Sequence, residues 1–396
     1  MRLRRWVLWV VIAVIAAYAA ATAVRLYSRK YYIFAVDYLR WTTTARPAPP
    51  SGTPTEVFFF FTDHYEPDSS AERVREWGRR YRALASRHRD ADGRPVQHTW
   101  FYPGEQGSSE IFSAFRELVA SGLGEVELHY HHGRDTEATL RAKLVPAIAD
   151  FQKYGFLKTT DGRTNFAFIH GNWGLDNSNG PRFCGVDTEL KLLRELGCFA
   201  DFTFPSIYWN AQPPFVNTIY AAQDDAGPKS YGRRLPLSAL FNGAADLMIF
   251  EGPLVFTPSW NVKHLFLDLE DGDIHPTVPA TPARVDDWVR AGVHVPERPD
   301  WIFIKVWGHS ASTPGDADAA LGADFDRALS YLESRYNDGR TYRLHYITAR
   351  EAYNLAIAAS RGATGSPDRY LDAPIPPYIA DGPRPRRSPG VPVAMQ

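Results

Sequence analysis

Phe58-Phe-Phe-Phe-Thr-Asp-His-Tyr-Glu-Pro67 changes from apolar to polar side chains within one short segment. Its apolar part, residues 57–62, is typical of a strand buried on both faces, as strands of parallel sheets are. Asp63 and His64 follow that strand directly. Active sites of parallel α/β folds lie at the carboxyl ends of the strands, so Asp63 and His64 are the first candidate site residues.

Runs of β type alternate with amphipathic helical patterns along the rest of the chain. This alternation predicts a largely parallel sheet with helices outside it. We expect a distorted (β/α) barrel of about seven to eight largely parallel strands, formed by one domain over residues 56–360. Residues 206–246, rich in Gly and Pro, predict long loops over one end. The β runs are residues 57–62, 96–101, 125–131, 166–170, 199–204, 247–250, 301–306 and 344–347.

The composition is that of a globular protein with a large core. Hydrophobic residues make up 44% of the chain and charged residues 22%, and the formal net charge is -1. This balance gives no general attraction to nucleic acid. Cys184 and Cys198 flank a predicted helix of about ten residues, whose rise of roughly 15 Å keeps them too far apart for a disulfide. No Cys-x-x-Cys pair occurs, so any metal must be bound by His and carboxylate side chains.

The N-terminus predicts a membrane anchor. Residues 6–24 form an uncharged run of 19 residues, long enough to span a bilayer as a helix. A cleavable signal peptide is the alternative, because small residues of the Ala-x-Ala kind occupy positions 17–23. The run is longer than a usual signal core and Arg25 follows at once, which favours an uncleaved single-pass anchor over residues 1–30.

Two further segments are predicted to lie outside the globular domain. Residues 31–55 are interpreted as a linker, since residues 42–55 are rich in Pro, Thr and Ser. Residues 361–396 carry repeated prolines and little apolar bulk. They are interpreted as an extended tail that contacts the domain at most superficially.

Histidines end the third predicted strand. Period-two alternation places Glu127, His129 and His131 on one face, opposite Val126, Leu128 and Tyr130. Polar side chains inside a parallel sheet are costly unless they are bonded, and two imidazoles at this spacing can bind one metal. His132 becomes a candidate ligand if the chain turns there. The alternative is a pair of exposed histidines on an edge strand.

Two more histidines follow strands. His170 ends the fourth predicted strand, and His309 lies just past the strand over residues 301–306. Together with Asp63, His64, His129 and His131, they are expected at one rim of the barrel. The alternatives are that Asp63 is an ordinary turn residue and that His309 is a bonded histidine in a turn.

Several short segments resemble the NodB-type polysaccharide deacetylases of carbohydrate esterase family 4. Residues 62–64 resemble the acidic motif that follows the family's first strand, and residues 127–132 its paired-His metal motif. Arg182, with Asp201 after it, resembles the Arg-containing motif, and residues 304–309 the late histidine motif. The chain departs from the family in two places: His64 stands where a second aspartate is usual, and the paired histidines are two or three residues apart instead of four.

The resemblance implies a metal-dependent hydrolase that removes N- or O-acetyl groups from a polysaccharide. It implies a divalent metal, most simply zinc, with Asp63 as general base, His309 as proton donor to the leaving group and Arg182 orienting Asp63. The metal ligands would be His64, His129 and His131 or His132. Residues 170–177 have no strict family counterpart and are interpreted either as a structural loop or as the wall of the substrate groove, with His170, Asn172, Trp173 and Asp176 in contact with sugar.

Two other functions remain open at this point. Another metal-dependent C–N or ester hydrolase, or a glycoside-active enzyme, could use Asp63, Glu66 and Glu105 as its carboxylates. A catalytically inactive, membrane-tethered module could bind polysaccharide without cleaving it. We expect a single-pass protein of a bacterial-type inner membrane, with its catalytic domain outside the cytoplasm mainly because of the function that the resemblance implies.

Overall fold

The computed structural model describes residues 2–47, 52–259, 264 and 267–382, and shows a mixed α/β chain. Its strands, in chain order, are β1 Thr55–His64, β2 His98–Pro103, β3 Gly124–Tyr130, β4 Phe166–His170, β5 Cys198–Asp201, β6 Thr218–Ala222, β7 Leu247–Glu251, β8 Val255–Pro258, β9 Leu267–Glu270, β10 Asp273–Ile274, β11 His294–Val295, β12 Arg298–Gly308 and β13 Tyr342–Tyr346. The helices are α1 Arg2–Ser28, α2 Ala35–Thr43, α3 Ala71–Ala85, α4 Ser109–Val119, α5 Glu137–Lys153, α6 Glu189–Glu195, α7 Pro282–Ala291, α8 Pro314–Leu321, α9 Ala323–Arg335 and α10 Ala349–Ser360.

Nine strands close into a barrel in the order β1, β2, β3, β4, β5, β7, β6, β11, β12 and back to β1. Two neighbouring pairs, β6–β7 and β11–β12, are antiparallel, and the other pairs of the ring are parallel. Strand β13 pairs with the first half of β1, and β10 pairs with the end of β12. The result is a mostly parallel closed barrel.

The strand count differs from the prediction of seven to eight. Seven of the predicted β runs lie in the ring, and the eighth, β13, lies beside it. Strands β6 and β11 complete the ring, and β6 falls within the segment predicted as long loops. They escape prediction because β11 is only two residues long and both strands have an antiparallel neighbour, outside the strand–helix alternation.

Strand β1 shows how the barrel divides its core into two layers. Phe58 and Phe60 belong to a cluster that fills the barrel interior together with residues from strands around the ring. Phe59 and Phe61 belong to a second cluster, in which the strands pack against the outer helices. Alternate side chains of β1 therefore point inside and outside. The interior partners of Phe58 and Phe60 include Phe101, Ile169, Met248, Phe250 and Phe303.

Side-chain caps fix the starts of most helices. Ser70 caps α3 by accepting a hydrogen bond from the Arg73 amide. Thr348 and Glu351 form a capping box at the start of α10. This helix packs on the interior cluster and closes the barrel at the amino ends of its strands.

The N-terminal helix stands apart from the barrel. The segment Arg5–Ser28 is long and apolar enough to cross a membrane, and α1 is the one such helix within the described residues. Beyond it, residues 31–47 of the predicted linker include α2 and pack on the domain. Tyr31 and Phe34 are buried there against Ile207 and Leu254.

The described part of the predicted tail, residues 361–382, also packs on the domain. Arg350 of α10 is buried and donates to the Ile375 carbonyl at 2.7 Å. Its guanidinium also donates to both carboxylate oxygens of Glu125 in β3, at 2.6 to 3.2 Å. The Tyr378 hydroxyl donates to Glu127 at 2.7 Å. Two glutamates of the barrel interior thus depend on the C-terminal segment and on α10.

We expect Arg350→Met to lower the free energy of unfolding by about 3–5 kcal/mol, because it removes the charge partner of a buried carboxylate. The double variant Arg350→Met/Glu125→Gln should regain part of that loss, since it also removes the buried charge. Urea denaturation followed by tryptophan fluorescence measures both. A single variant as stable as the native chain would contradict this account of the buried pair.

Candidate metal centre at the barrel mouth

Strand alternation sorts the predicted site residues onto the two faces of the barrel wall. His64 continues the inward series of Phe58 and Phe60, so its ring lies at the barrel mouth, whereas Asp63 points outward. In β3 the inward side chains end with His129. Residues adjacent in sequence therefore do not share one site.

Four side chains form what we call the inner cluster: His64, Glu66, His129 and His131. Glu66 Oε1 lies 3.0 Å from His129 Nε2 and 3.3 Å from His131 Nε2. The rings of His64 and His129 are 4.9 Å apart between centroids. Donor atoms of His64, Glu66 and His129 all lie within 4.8 Å of one another, which is close enough for one cation to bind all three.

The tautomer of His129 favours a cation at this cluster. Its Nδ1 lies 3.1 Å from the Ile169 carbonyl, which can only accept, so Nδ1 carries a proton. Burial lowers the pKa of His129, and its bond to Glu66 offsets this only in part. The neutral ring then directs its Nε2 lone pair at the Glu66 carboxylate. Two acceptors 3.0 Å apart need a proton or a cation between them.

His64 supports the same conclusion. Its ring is buried, and its Nδ1 has no hydrogen-bond partner in the described part of the chain. Burial lowers the pKa of His64 well below its usual value, and the neighbouring His309 and His129 lower it further. A buried, uncharged imidazole with an unbonded nitrogen is a suitable metal ligand. Two histidines and one glutamate are a known zinc-binding set, so the residues fit zinc.

His131 joins the cluster through two carboxylates. Its Nδ1 lies 2.6 Å from Glu105 Oε1, and its Nε2 faces Glu66. Burial acts to lower the pKa of His131, but the bonds to Glu105 and Glu66 outweigh it and raise the pKa to about 9. The same histidines hold the pKa of Glu66 well below its usual value, against the effect of burial. The sequence predicts Glu66 and Glu105 only as catalytic carboxylates of an alternative enzyme, and not as partners of these histidines.

Asp63 lies on the outer side of the wall, with both oxygens occupied. His98 Nε2 lies 2.9 Å from Oδ2, the Ser310 amide donates to Oδ1 at 2.9 Å, and the Ser310 hydroxyl donates to Oδ2. These contacts anchor the turn that follows β12, which carries His309. Asp63 as a general base stays a prediction, and its partners are His98 and Ser310 rather than Arg182.

A second group of side chains, the outer cluster, lies on the opposite side of the wall: His132, His170, Cys184 and Glu189, all buried. His170 alternates with the inward Ile169, and His132 follows the outward Tyr130, so both point away from the mouth. This corrects two predictions. His132 is not placed to replace His131 as a ligand beside His129, and His170 does not face a substrate groove.

In the outer cluster, both oxygens of the Glu189 carboxylate have hydrogen-bond partners without a cation. Glu189 Oε1 lies 2.9 Å from His132 Nε2, and Oε2 accepts from the Asp176 amide at 2.6 Å and from the Cys184 thiol at 3.3 Å. Burial raises the pKa of Cys184, which keeps the thiol protonated. Burial acts to raise the pKa of Glu189, but His170 and His132 lower it to about 2.

The tautomer of His170 shows why the outer cluster is less suited to bind a metal than the inner cluster. Its Nδ1 accepts from the Asn172 amide at 3.1 Å and the Gly174 amide at 3.4 Å. Burial lowers the pKa of His170 to about 3, so the ring is neutral and its one proton is on Nε2, the nitrogen that faces Glu189 at 3.8 Å. That nitrogen has no lone pair to offer a metal. The inner cluster is therefore the better metal centre.

A cavity of 320 Å³ opens beside the inner cluster. Trp173 stacks on His64 with ring centroids 4.8 Å apart, and His309 lies 4.6 Å from the same ring. Trp173 adopts φ 53°, a left-handed conformation that is strained for a bulky residue and that often marks functional sites. The lining also includes Pro205, Ser206, Ile207, Tyr208, Trp209, Asp271, Asp273, His275 and Trp307.

Three other predicted residues lie away from this cavity lining. The Asn172 side chain donates to the His132 carbonyl at 2.5 Å, and Asp176 is buried and accepts from the Ser230 amide at 2.6 Å. Both hold the loop after β4 in place. Arg182 is exposed, and its guanidinium Cζ lies 5.2 Å from the centroid of the Phe183 ring.

No protein-family model matches this chain, and no curated protein matches it either. The likeness to polysaccharide deacetylases therefore rests on the short motifs, and the function is argued below from the geometry.

The buried neutral His170 predicts a pH-dependent stability. Below pH 6.5 the unfolded chain binds a proton at this histidine, whereas the folded chain does not until about pH 3, so acid favours unfolding across that window. His170→Asn keeps an acceptor for the two amides and removes the titrating group. From pH 6.5 to about pH 4, the native chain should lose up to about 1.4 kcal/mol per pH unit relative to this variant.

Urea denaturation of the full chain in detergent at several pH values measures this difference. Above pH 6.5 the difference between native chain and variant should be constant, because His170 is neutral in both states there. Parallel curves from pH 7.5 to pH 4 would contradict the assignment of a neutral His170.

Proposed function

We propose that this protein is a metal-dependent hydrolase that removes acetyl groups from a polysaccharide. One observation carries the proposal: His129 Nε2 faces the Glu66 carboxylate, 3.0 Å away, at the mouth of a closed barrel, while its Nδ1 is bonded to the Ile169 carbonyl. With His64 beside them, these residues form a preorganised cation site. The aromatic cavity next to it offers room for a sugar.

The architecture supports the same proposal. The inner cluster lies at the carboxyl ends of β1 and β3, where parallel barrels place their active sites. We propose that the mostly parallel ring is a distorted (β/α) barrel of the polysaccharide-deacetylase type. In that interpretation, β6 and β11 are additions that complete the ring.

His64, Glu66 and His129 would hold the metal, with His131 beside them. A bound divalent metal such as zinc supplies an acidified water and a Lewis acid for a carbonyl oxygen. The Ile169 carbonyl fixes the His129 ring, and Glu105 fixes the His131 ring. Such outer contacts orient ligands before the metal arrives.

His309 is the residue best placed to give a proton to the leaving group. Its ring is half-buried, faces the cavity and lies 4.6 Å from the His64 ring. Asp63 positions it, because that carboxylate bonds the backbone of the next residue, Ser310. Glu105 is the partly exposed carboxylate beside these ligands that can accept a proton from water.

The cavity walls suit an acetylated sugar. Trp173 and Trp307 meet edge to face, 5.1 Å apart, and present flat apolar surface beside the cluster. Burial raises the pKa of Asp271 to about 8, with Asp273 and Glu270 raising it further. Asp271 therefore carries a proton at neutral pH and can donate to a sugar oxygen.

We place the barrel outside the cytoplasm of a bacterial-type cell, because the proposed deacetylase would act there on exported polysaccharide. The anchor would then be α1, crossing the inner membrane once.

His129→Asn should abolish both metal binding and acetate release. The native full chain, purified in detergent and supplied with zinc, is expected to hold about one metal per chain and to release acetate from N-acetylated chito-oligosaccharides. The variant should lose at least ~100-fold in acetate release, because one ligand is gone. Elemental analysis and an enzymatic acetate assay measure the two quantities.

Cys184→Ser is the matched control from the outer cluster. It should keep the metal and release acetate at a rate within about twofold of the native chain, because Cys184 bonds only Glu189 and its own loop. Loss of metal in Cys184→Ser but not in His129→Asn would show that the metal binds in the outer cluster. Metal binding without acetate release from any acetylated glycan would favour the polysaccharide-binding module instead.

A further inference from the structure

The rim of the cavity is in contact with the end of the N-terminal helix. Tyr208 lines the cavity together with His309 and Trp173. The same Tyr208 ring lies under the guanidinium of Arg29, whose Cζ is 4.4 Å from the ring centroid. Arg29 is the first residue after the apolar segment Arg5–Ser28. One side chain therefore separates the cavity from the end of the candidate membrane span.

Polar contacts reinforce this junction. Lys30 Nζ donates to Asn210 Oδ1 at 2.7 Å, on the loop that carries Tyr208. Arg25 donates to the Leu267 carbonyl at 2.5 Å, and its guanidinium lies 3.7 Å from Asp268. Arg29 and Lys30 thus contact the loop that carries Tyr208, and Arg25 contacts strand β9.

An apolar cluster holds the segment that follows α1 against the domain. Tyr31 and Phe34 follow the helix and are 4% and 1% exposed. They pack against Ile207, beside Tyr208, and against Leu254 and Val216. The segment after the helix is therefore part of the domain surface rather than a free tether, and it fixes the height of the cavity above the membrane.

The residues at this junction are those that favour a membrane interface. Tyr27 and Tyr32 stack 5.4 Å apart and are largely exposed. Tyr208 and Trp209 at the cavity rim are 43% and 41% exposed, high values for large aromatic residues. Tyr and Trp concentrate at the headgroup level of bilayers, and basic side chains there attract lipid phosphate. The rim and the helix end thus form one continuous interfacial surface.

We infer that the substrate is an acetylated glycan joined to a membrane lipid, which reaches the cavity at headgroup level. This inference rests on the proposed function. A cavity fixed at that height meets lipid-borne sugars at a high effective concentration, because enzyme and substrate share one surface. The basic residues Arg25, Arg29 and Lys30 lie where the headgroup phosphate of such a lipid would be.

The experiment compares two substrates with the same sugar. The full chain is reconstituted in phosphatidylcholine vesicles that contain a chito-oligosaccharide coupled to a dialkyl lipid. A parallel reaction contains the same oligosaccharide free in solution at the same bulk concentration. Acetate release should be at least ~10-fold faster from the lipid-linked sugar.

A height variant tests the cause of that advantage. Four Glu-Ala-Ala-Ala-Lys repeats inserted between Ser28 and Arg29 should raise the domain by about 30 Å if helical. The contacts of Arg25 with β9 and the Tyr27–Tyr32 stack are lost, but Arg29, Lys30, Tyr31 and Phe34 keep their contacts with the domain. Release from the free oligosaccharide should therefore equal that of the native chain. Release from the lipid-linked sugar should fall to the rate for the free sugar. The same repeats placed ahead of Arg2 are the control and should change neither rate.

The outcomes separate this inference from the proposed function. Equal rates on the two substrates, or a lipid-linked rate that the height variant leaves unchanged, would overturn the inference and leave the hydrolase intact. No acetate from either substrate would overturn the proposed function, and the inference with it.

Discussion

The period-two alternation of side chains along the strands of a closed barrel is the constraint on which the rest of this structure depends. Closure gives every strand an inside and an outside, and both are buried here. A polar side chain on either face must therefore find a partner. His64 and Asp63 are neighbours in sequence, yet one meets His129 inside the mouth and the other meets His98 outside the wall.

This constraint explains which parts of the site could be predicted from the sequence. Alternation along β3 predicts that its histidines share one face, and the structure places His129 on the inward face. For Asp63 and His170 the prediction rests only on their position at the ends of β1 and β4, which groups them with the inward residues. Alternation within those strands places both side chains outside.

Other features depend on contacts that a linear pattern does not contain. Glu66 lies in a loop and Glu105 in a single 3₁₀ turn, where no periodicity predicts a direction, and their place in the cluster follows only from the bonds to His129 and His131. Strand β11 is too short to be distinguished from loop, and β6 lies within the Gly- and Pro-rich segment. The overall alternation of strands and helices needed no such contacts, because it follows from local hydrophobic patterns.

The inner and outer clusters have similar side chains but differ in which ring nitrogen of the central histidine carries the proton. In both, a buried histidine faces a glutamate, and distance alone would allow a cation in either. The backbone decides between them: a carbonyl fixes the proton of His129 on the far nitrogen, whereas two amides fix that of His170 on the near one. The ring nitrogen that faces the carboxylate is left available to a cation or a proton in the first case and is a donor in the second.

The N-terminal helix extends the same argument from the barrel to its surroundings. Tyr208 belongs to the cavity wall and also packs under Arg29, so the loop that shapes the site is held by residues next to the candidate span. A purely mechanical anchor would need no such contacts, since a flexible linker would retain the domain equally well. The buried Tyr31 and Phe34 instead order this segment, at a cost in conformational entropy that their burial offsets. If the candidate span crosses a bilayer, a rigid junction fixes the height of the cavity above it, as the proposed lipid-linked substrate requires.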